Sequence, residues 1–390
     1  MILTNCACCA APLPHLAKQC SRCKTRYCGP ACQIAHWKEG GHDKRCKNIR
    51  KGGGAEQHHA DKQCEEAVAA AAEACTEDTK GQTCYICTQA LHWKTKEGLV
   101  RGCACRGTAG FAHVSCLAEQ AKILFTEAEE NNLDDKINER FARWHTCSLC
   151  EQQYHGVVSC ALGWACWKTY VGRSEGDQAR RLAMTELASG LDDAKHHAEV
   201  LSVQEAQFSM MKRLGDSVGN ILAVQGNLAS TYYALNRLDE TLHIERDVYF
   251  GYLKLSGEEH ERTLAAATNY VSTLKELKRF EEAKALLLKI IPVARRVLGE
   301  SNDITLKMRW NFATVLYLDA SATLDDLREA VTTLEDTVRI ARRVLGAAHP
   351  TVVWIEDALR DARAALGARE ASTPVSSICE AVEAMTTGEA

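Results

Sequence analysis

Residues 227–235 read NLASTYYAL, residues 269–277 NYVSTLKEL and residues 311–319 NFATVLYLD. Asn227, Asn269 and Asn311 are 42 residues apart, and the same spacing relates Gly215, Gly257 and Gly299. It also relates Arg237 to Arg279 and Leu264 to Leu306. A period shared by several independent columns marks a structural repeat. Each unit predicts an amphipathic helix, a short turn (NRLDE, KRFEE), a second helix and a loop closed by Leu-Gly. A last unit follows after 47 residues at Leu345-Gly346, and an irregular first one runs from Ala183 to Leu214. One such hairpin cannot bury its apolar stripe alone, so neighbours are expected to stack into a superhelix with a concave groove.

Outward from the repeats the composition changes. The chain has 390 residues, with 47 basic against 51 acidic and a formal charge of −4, which predicts two or three globular domains and excludes a globally basic nucleic-acid coat. Its anomaly is cysteine: 20 residues, 19 of them before Lys168. Disulfides would be spread through the fold they staple, so this distribution predicts thiolates on metal in a reducing compartment. The start, MILTNCACCA, does not read as a secretory signal, and the longest largely apolar run, Val157 to Trp167, is too short to span a membrane. A soluble chain of the cytoplasm or nucleus, without a membrane partner, is the expectation.

By composition the chain divides at residues 1–50 and 81–156, each with a cysteine cluster, and at 165–370, the repeats. Between the clusters, residues 51–80 predict a glycine hinge and an alanine-rich linker helix, and residues 371–390 predict a mobile tail. The expected fold class is therefore small zinc-stabilised, loop-rich α+β modules followed by an all-α superhelix of helical hairpins; the resemblances given below imply that these are cross-brace modules and a tetratricopeptide-repeat superhelix.

In the first cluster the donors run Cys6-x2-Cys9, Cys20-x2-Cys23, Cys28-x3-Cys32 and His42-x3-Cys46. The second runs Cys84-x2-Cys87, Cys103-x-Cys105, His113-x2-Cys116 and Cys147-x2-Cys150. Eight donors in four pairs are what two tetrahedral zinc sites require, so about four Zn2+ per chain are expected. Two choices stay open at this point, Cys8 against Cys9 and His36 against His42. Cys160 and Cys166, in the apolar run VVSCALGWACW, are expected to be buried between the second cluster and the first repeat helix.

Three resemblances follow from these motifs. The units from about 170 to 366, with their NLA-Y, R-EA and LG-H-T pattern, resemble the tetratricopeptide repeats of kinesin light chains. That resemblance implies peptide binding in a groove, with Asn227, Asn269 and Asn311 clamping a peptide backbone; the alternative reading is inter-repeat hydrogen bonding. Residues 6–46, with TRYCGPACQIAHW between the ligands, resemble the MYND zinc finger. It implies one zinc on Cys6, Cys9, Cys28 and Cys32, a second on Cys20, Cys23, His42 and Cys46, and docking of proline-containing peptides on Gln33 and Trp37. The Cys-x-Cys and His-x2-Cys pairs around CRGTAGFAHVSCL resemble the RING-CH finger. This implies a third zinc on Cys84, Cys87, His113 and Cys116 and a fourth on Cys103, Cys105, Cys147 and Cys150. It also implies a contact surface for a ubiquitin-conjugating enzyme at Ile86, and at Trp144 because Gln120 stands where the family has a tryptophan.

The functional expectation is an adaptor that docks short peptide motifs of other proteins, the alternative being a soluble RING-CH ubiquitin ligase whose repeats recruit substrate. Such a ligase does no covalent chemistry itself and acts by proximity. No catalytic residue is expected: no phosphate loop, Ser/His/Asp arrangement or HExxH is present. Nucleic acid is not an expected partner, since no series of stacking aromatics accompanies the basic residues of 1–50.

Overall fold

The computed structural model describes residues 5–11, 13, 17–347 and 349–372. They form two compact units, one up to Leu235 and one from Asn236. Most of the expected tail, residues 373–390 with Cys379, lies outside the described residues. No described helix is long and apolar enough to cross a membrane.

The first unit opens with a two-stranded antiparallel ribbon, β1 (Lys18–Gln19) and β2 (Arg26–Tyr27), then α1 (Pro30–Lys38), α2 (His42–Lys51) and α3 (Ala55–Ala74). After the second cysteine-rich loops come α4 (Val114–Glu130), α5 (Ile137–Phe141), a 3-10 turn (Ala142–Trp144) and α6 (Gly156–Tyr170). The unit ends with α7 (Gln178–Asp193), α8 (His197–Leu214) and α9 (Val218–Ala234).

Helix α6, GVVSCALGWACWKTY, has apolar residues on every face, and a helix of that kind is stable only when enclosed. It is enclosed here by α3, α4 and α7. Gly163 and Gly190 let α6 and α7 approach closely: a Cβ on Gly190 would lie 2.5 Å from the Ser159 carbonyl oxygen, and one on Gly163 would lie 3.1 Å from that of Glu186. Cys160 and Cys166 are both buried in this packing.

The alanine-rich segment expected as a linker helix forms α3, and its burial gives it a different role. After a left-handed turn at Gly53 and Gly54, the helix lays Ala60, Cys64 and Ala71 against the core. The Gln57 amide donates to the Lys168 carbonyl at 3.0 Å, and Arg180 of α7 pairs with Glu56 at 3.0 Å. One hydrophobic cluster runs from Ala60 through the second cysteine region to Met210. The helix is thus a docked strut that shares a core with the second finger and the first helical hairpin.

The second unit consists of α10 (Leu238–Ser256), α11 (Glu261–Glu276), α12 (Phe280–Val297), α13 (Asp303–Leu318), α14 (Leu324–Leu345) and α15 (Pro350–Ser372). Successive helices pack as antiparallel neighbours, and α13 also packs on α11 and α15. Each recurring column has a physical reason. Gly215, Gly257 and Gly299 all have positive φ (67°, 83° and 88°), which a side chain would strain at a helix end. Arg237 and Arg279 fork onto Glu240 and Glu282 one turn on, and Leu264 and Leu306 are fully buried. The longer last unit accommodates a capping box at Thr323, whose hydroxyl accepts from the Asp326 N–H while the Asp326 carboxylate accepts from that of Thr323.

Glu245 of α10 is a buried carboxyl whose Oε2 has no partner among the described residues. Burial pushes it from 4.5 up to about 7. The folded state therefore binds the proton more tightly than the unfolded chain, so stability is greatest below the ordinary carboxylate range and falls as pH rises toward about 7. Glu245→Gln removes that slope and raises the melting temperature of the second unit at about pH 8 relative to the native chain. Calorimetry across pH checks this; identical slopes in both proteins would refute it.

Candidate metal centres

The four Cys-x2-Cys pairs fold the same way. The residue after each second cysteine (Ala10, Lys24, Thr88, Glu151) has positive φ. Its N–H donates back to the first cysteine's carbonyl at 2.8–3.0 Å. This tight knuckle turns both thiols of a pair toward one point, and it gives Glu151 a backbone role that its side-chain charge does not reveal. Of the remaining four pairs three lie on or beside helices, Cys28 with Cys32 at α1, His42 with Cys46 on α2, and His113 with Cys116 at the start of α4, while Cys103 and Cys105 lie in the loop before α4. Gly41, with φ of 66°, turns the chain into α2 just before His42.

These elements gather four donor sets: Cys6, Cys9, Cys28 and Cys32; Cys20, Cys23, His42 and Cys46; Cys84, Cys87, His113 and Cys116; Cys103, Cys105, Cys147 and Cys150. Within each set the donor atoms lie within 4.8 Å of one another. Cys8 is exposed and outside the sets, and His36 is held elsewhere, its Nδ1 3.0 Å from the Tyr27 hydroxyl. Alternate pairs share a set in both fingers, which is the cross-brace arrangement.

The donor geometry fits a tetrahedral ion. Sulfur–sulfur separations are 3.6 Å for Cys9–Cys28, 3.7 Å for Cys20–Cys46 and 3.8 Å for Cys105–Cys147. A tetrahedron of zinc–sulfur bonds of about 2.3 Å has edges of about 3.8 Å. His42 Nε2 lies 3.3 Å from Cys23 Sγ, and His113 Nδ1 lies 3.3 Å from Cys87 Sγ. His113 Nε2 sits 3.4 Å from the Ala90 carbonyl oxygen, so that nitrogen takes the proton and leaves Nδ1 to a metal. The electrostatics agree. Against its burial, backbone N–H groups lower the Cys6 thiol to about 6, and the Gln152 N–H lowers Cys150 to about 7. Burial and neighbouring thiolates push Cys105 and Cys116 well up. Such crowded thiols need a cation to share. A zinc ion there would supply a structural crosslink, and no site leaves an open position for chemistry.

The other predicted residues are sorted by burial. Trp37 is 37% exposed and its ring also leans on His42 at 5.5 Å; Gln33, four residues earlier on α1, is half-buried. Ile86 is 38% exposed. Trp144, expected on the conjugating-enzyme surface, is instead 0% exposed and edge-on to Tyr170 at 5.8 Å. The segment between Cys116 and Cys147 folds as α4, α5 and the 3-10 turn, which carries Trp144 onto α6 and into the core. Asn227 and Asn269 are exposed, whereas Asn311, expected to share their peptide-binding role, is 2% exposed. Its amide donates to Ser272 Oγ at 3.2 Å and accepts from Lys275 Nζ at 3.3 Å, because α13 is enclosed by neighbouring helices.

Two residues went unnoticed in the sequence. Leu149, inside the second finger's last knuckle as Ile86 is inside that finger's first, is 51% exposed. Tyr85 joins the two knuckles and α4, its hydroxyl 3.1 Å from Ser148 Oγ and 3.5 Å from Gln120 Oε1. Comparing the four knuckles with one another would have found Leu149.

Fold and donor sets together define a chain of cross-braced cysteine–histidine modules followed by helical-hairpin repeats. Comparison with known proteins is more particular: residues 84–150 match the RING-variant domain, and residues 263–303 and 320–351 match the tetratricopeptide repeat. These repeats imply protein–protein interaction. Among solved structures the chain is similar to BtubC (BKLC) from P. vanneervenii, with 14% identity over 71% of this chain and 93% of that one and a TM-score of 0.40. It is also similar to the kinesin-light-chain-like protein of Podosopora anserina with nearly identical TPR-like repeats, at 19% identity, 59% and 97% coverage and a TM-score of 0.40. The TPR2AB domain of yeast Sti1 matches at 11% identity, 64% and 99% coverage and a TM-score of 0.23. No curated protein matches the chain.

Proposed function

We propose that the chain is a zinc-stabilised adaptor that docks short peptides of partner proteins, through Gln33 and Trp37 of a MYND-like first finger and, separately, through the repeats at Asn227 in the first unit and at Asn269 in the second. The observation that carries this reading is α1: a nine-residue helix with no buried residue, which displays Ile34 and Trp37 to solvent. Such a helix has no core of its own, and the two donor sets that flank it hold its surface rigid, the condition under which an indole and an amide recognise a peptide at low entropic cost. Linking this surface to a repeat surface on one chain adds avidity without new contacts. Calorimetric titration of proline-containing peptides tests it: binding to the full chain weakens at least about tenfold on Trp37→Ala. Equal affinity of both proteins would sink the finger's part.

A second reading, a RING-type ubiquitin ligase, is favoured by the exposed pair Ile86 and Leu149, held together through Tyr85 between the two knuckles. The ligase would hold a charged conjugating enzyme near a substrate lysine, an effect of proximity. In discharge assays with a panel of ubiquitin-charged conjugating enzymes, the native chain accelerates discharge and Ile86→Ala loses at least about tenfold of it. No acceleration and no self-modification across the panel would remove this reading and leave the adaptor.

A further inference from the structure

The four donor sets differ in what covers them. Cys20, Cys23, His42 and Cys46 are all buried, and the two sets of the second finger combine buried donors with the half-buried Cys87, Cys105 and Cys150. In the first set Cys6 is buried and Cys32 half-buried, whereas Cys9 and Cys28 are exposed, and no other donor of any set is. Their sulfurs lie 3.6 Å apart at the surface, and Cys28 Sγ lies 3.4 Å from Cys32 Sγ. The sequence around both explains this. Ala7, Cys8 and Ala10 of the first knuckle are exposed in their turn, and α1, which begins two residues after Cys28, buries none of its residues.

A thiolate is both a metal ligand and a nucleophile, and access decides which thiolate an oxidant reaches. At this pair a peroxide has an open approach. The Cys9 sulfur attacks one peroxide oxygen, the O–O bond breaks, hydroxide leaves and Cys9 becomes a sulfenic acid. The Cys28 thiolate then attacks the Cys9 sulfur, the S–S bond forms and a second hydroxide leaves. The two thiolates have lost two electrons in all, and the peroxide has gained them. Reduced to Cys6 and Cys32, the set lacks half of the donors a tetrahedral ion needs.

The consequence falls on α1. Its Cys32 loses its anchor, and the contacts left to the helix include the His36 Nδ1 with the Tyr27 hydroxyl at 3.0 Å and the rings of His36 and Trp37 against His42 at 5.1 and 5.5 Å. A helix of nine residues is too short to persist on its own propensity. Gln33 and Trp37 then lose their fixed positions.

We propose that Cys9 and Cys28 form an oxidative modification site: a peroxide joins them in a disulfide, the first donor set releases its metal and α1 comes loose. That this switches off peptide docking rests on the adaptor reading; the oxidation itself does not.

The test treats the zinc-loaded full chain with hydrogen peroxide and follows released zinc with a chromophoric chelator too weak to strip the untreated chain. The first equivalent is expected to leave at least about tenfold faster than the rest. Peptide mapping without reduction finds Cys9 joined to Cys28 at that stage, and hydrogen exchange accelerates over residues 30–38 while 84–154 stay protected. A thiol reductant with added zinc reverses all three changes. Cys8, exposed and outside the sets, is the competing thiol, and Cys8→Ser leaves the release unchanged. Release of all the zinc together, a disulfide between other cysteines, oxidation confined to Cys8, or release abolished by Cys8→Ser overturns the proposal. Proline-containing peptides bind the oxidised chain at least about tenfold more weakly. Undiminished binding with the disulfide in place overturns the docking switch and the finger's part of the adaptor reading, and leaves the oxidation site standing.

Discussion

Stripping metal from the full chain unfolds both cysteine-rich regions and leaves the second unit folded. The first finger's buried cluster is Cys6, Cys20, Cys23, Tyr27, Cys46, Ile49 and Ala55, so among the described residues three side chains beyond its ligands belong to that cluster. Structural zinc contributes on the order of 10–16 kcal/mol in such modules, as much as the whole stability of an ordinary domain. In the second finger Cys84, Cys103, Cys116 and Cys147 belong to the same core as α3, α6 and α7, so loosening them exposes α6 as well. Metal analysis should find about four zinc ions per chain. After chelation, hydrogen exchange is expected to accelerate across residues 18–51 and 84–154 and, to a lesser degree, through α3 and α6. The helices α10 to α15 keep their protection, because no donor set lies among the described residues of that unit. Retained protection across residues 84–154 with the metal gone would contradict a structural role for it.

Trp144→Ala lowers stability by about 3–5 kcal/mol, the cost of emptying a fully buried aromatic site. The indole meets Tyr170, which in turn meets Phe125 and Phe141, so the cavity would open in the cluster that joins the second finger to α6. Ile86→Ala, at an exposed position, changes stability by no more than about 0.5 kcal/mol. Chemical denaturation of the two variants separates the roles: a solvent-facing contact residue at 144 would leave the midpoint unchanged. If the ligase reading holds, Ile86→Ala loses discharge at full stability, whereas Trp144→Ala loses both together.

The donor spacings were legible because a knuckle is local. Two cysteines separated by two residues, followed by one left-handed residue, close on themselves whatever surrounds them, and all four such pairs here do so. The repeat columns were legible for the same reason: a glycine ends a helix and an arginine reaches a glutamate one turn away, both within a few residues. Asn311 shows where a column misleads. It shares its spacing with Asn227 and Asn269, yet it is buried because α11 and α15 close over α13, and spacing carries no information about which repeat is enclosed.

Amino-acid order by itself thus determined the two octets of donors and the helical repeat, since each is built from pairs and hairpins whose interactions span at most a few turns. Only the tertiary structure decided that the alanine-rich helix is a docked strut and that Trp144 faces inward. The strut rests on contacts between residues more than a hundred positions apart, Gln57 with Lys168 and Glu56 with Arg180, and Trp144 on the aromatic ring of Tyr170 at the far end of α6, a helix brought against α7 at Gly163 and Gly190. Burial is a property of what packs against a residue, and local pattern records only the residue itself.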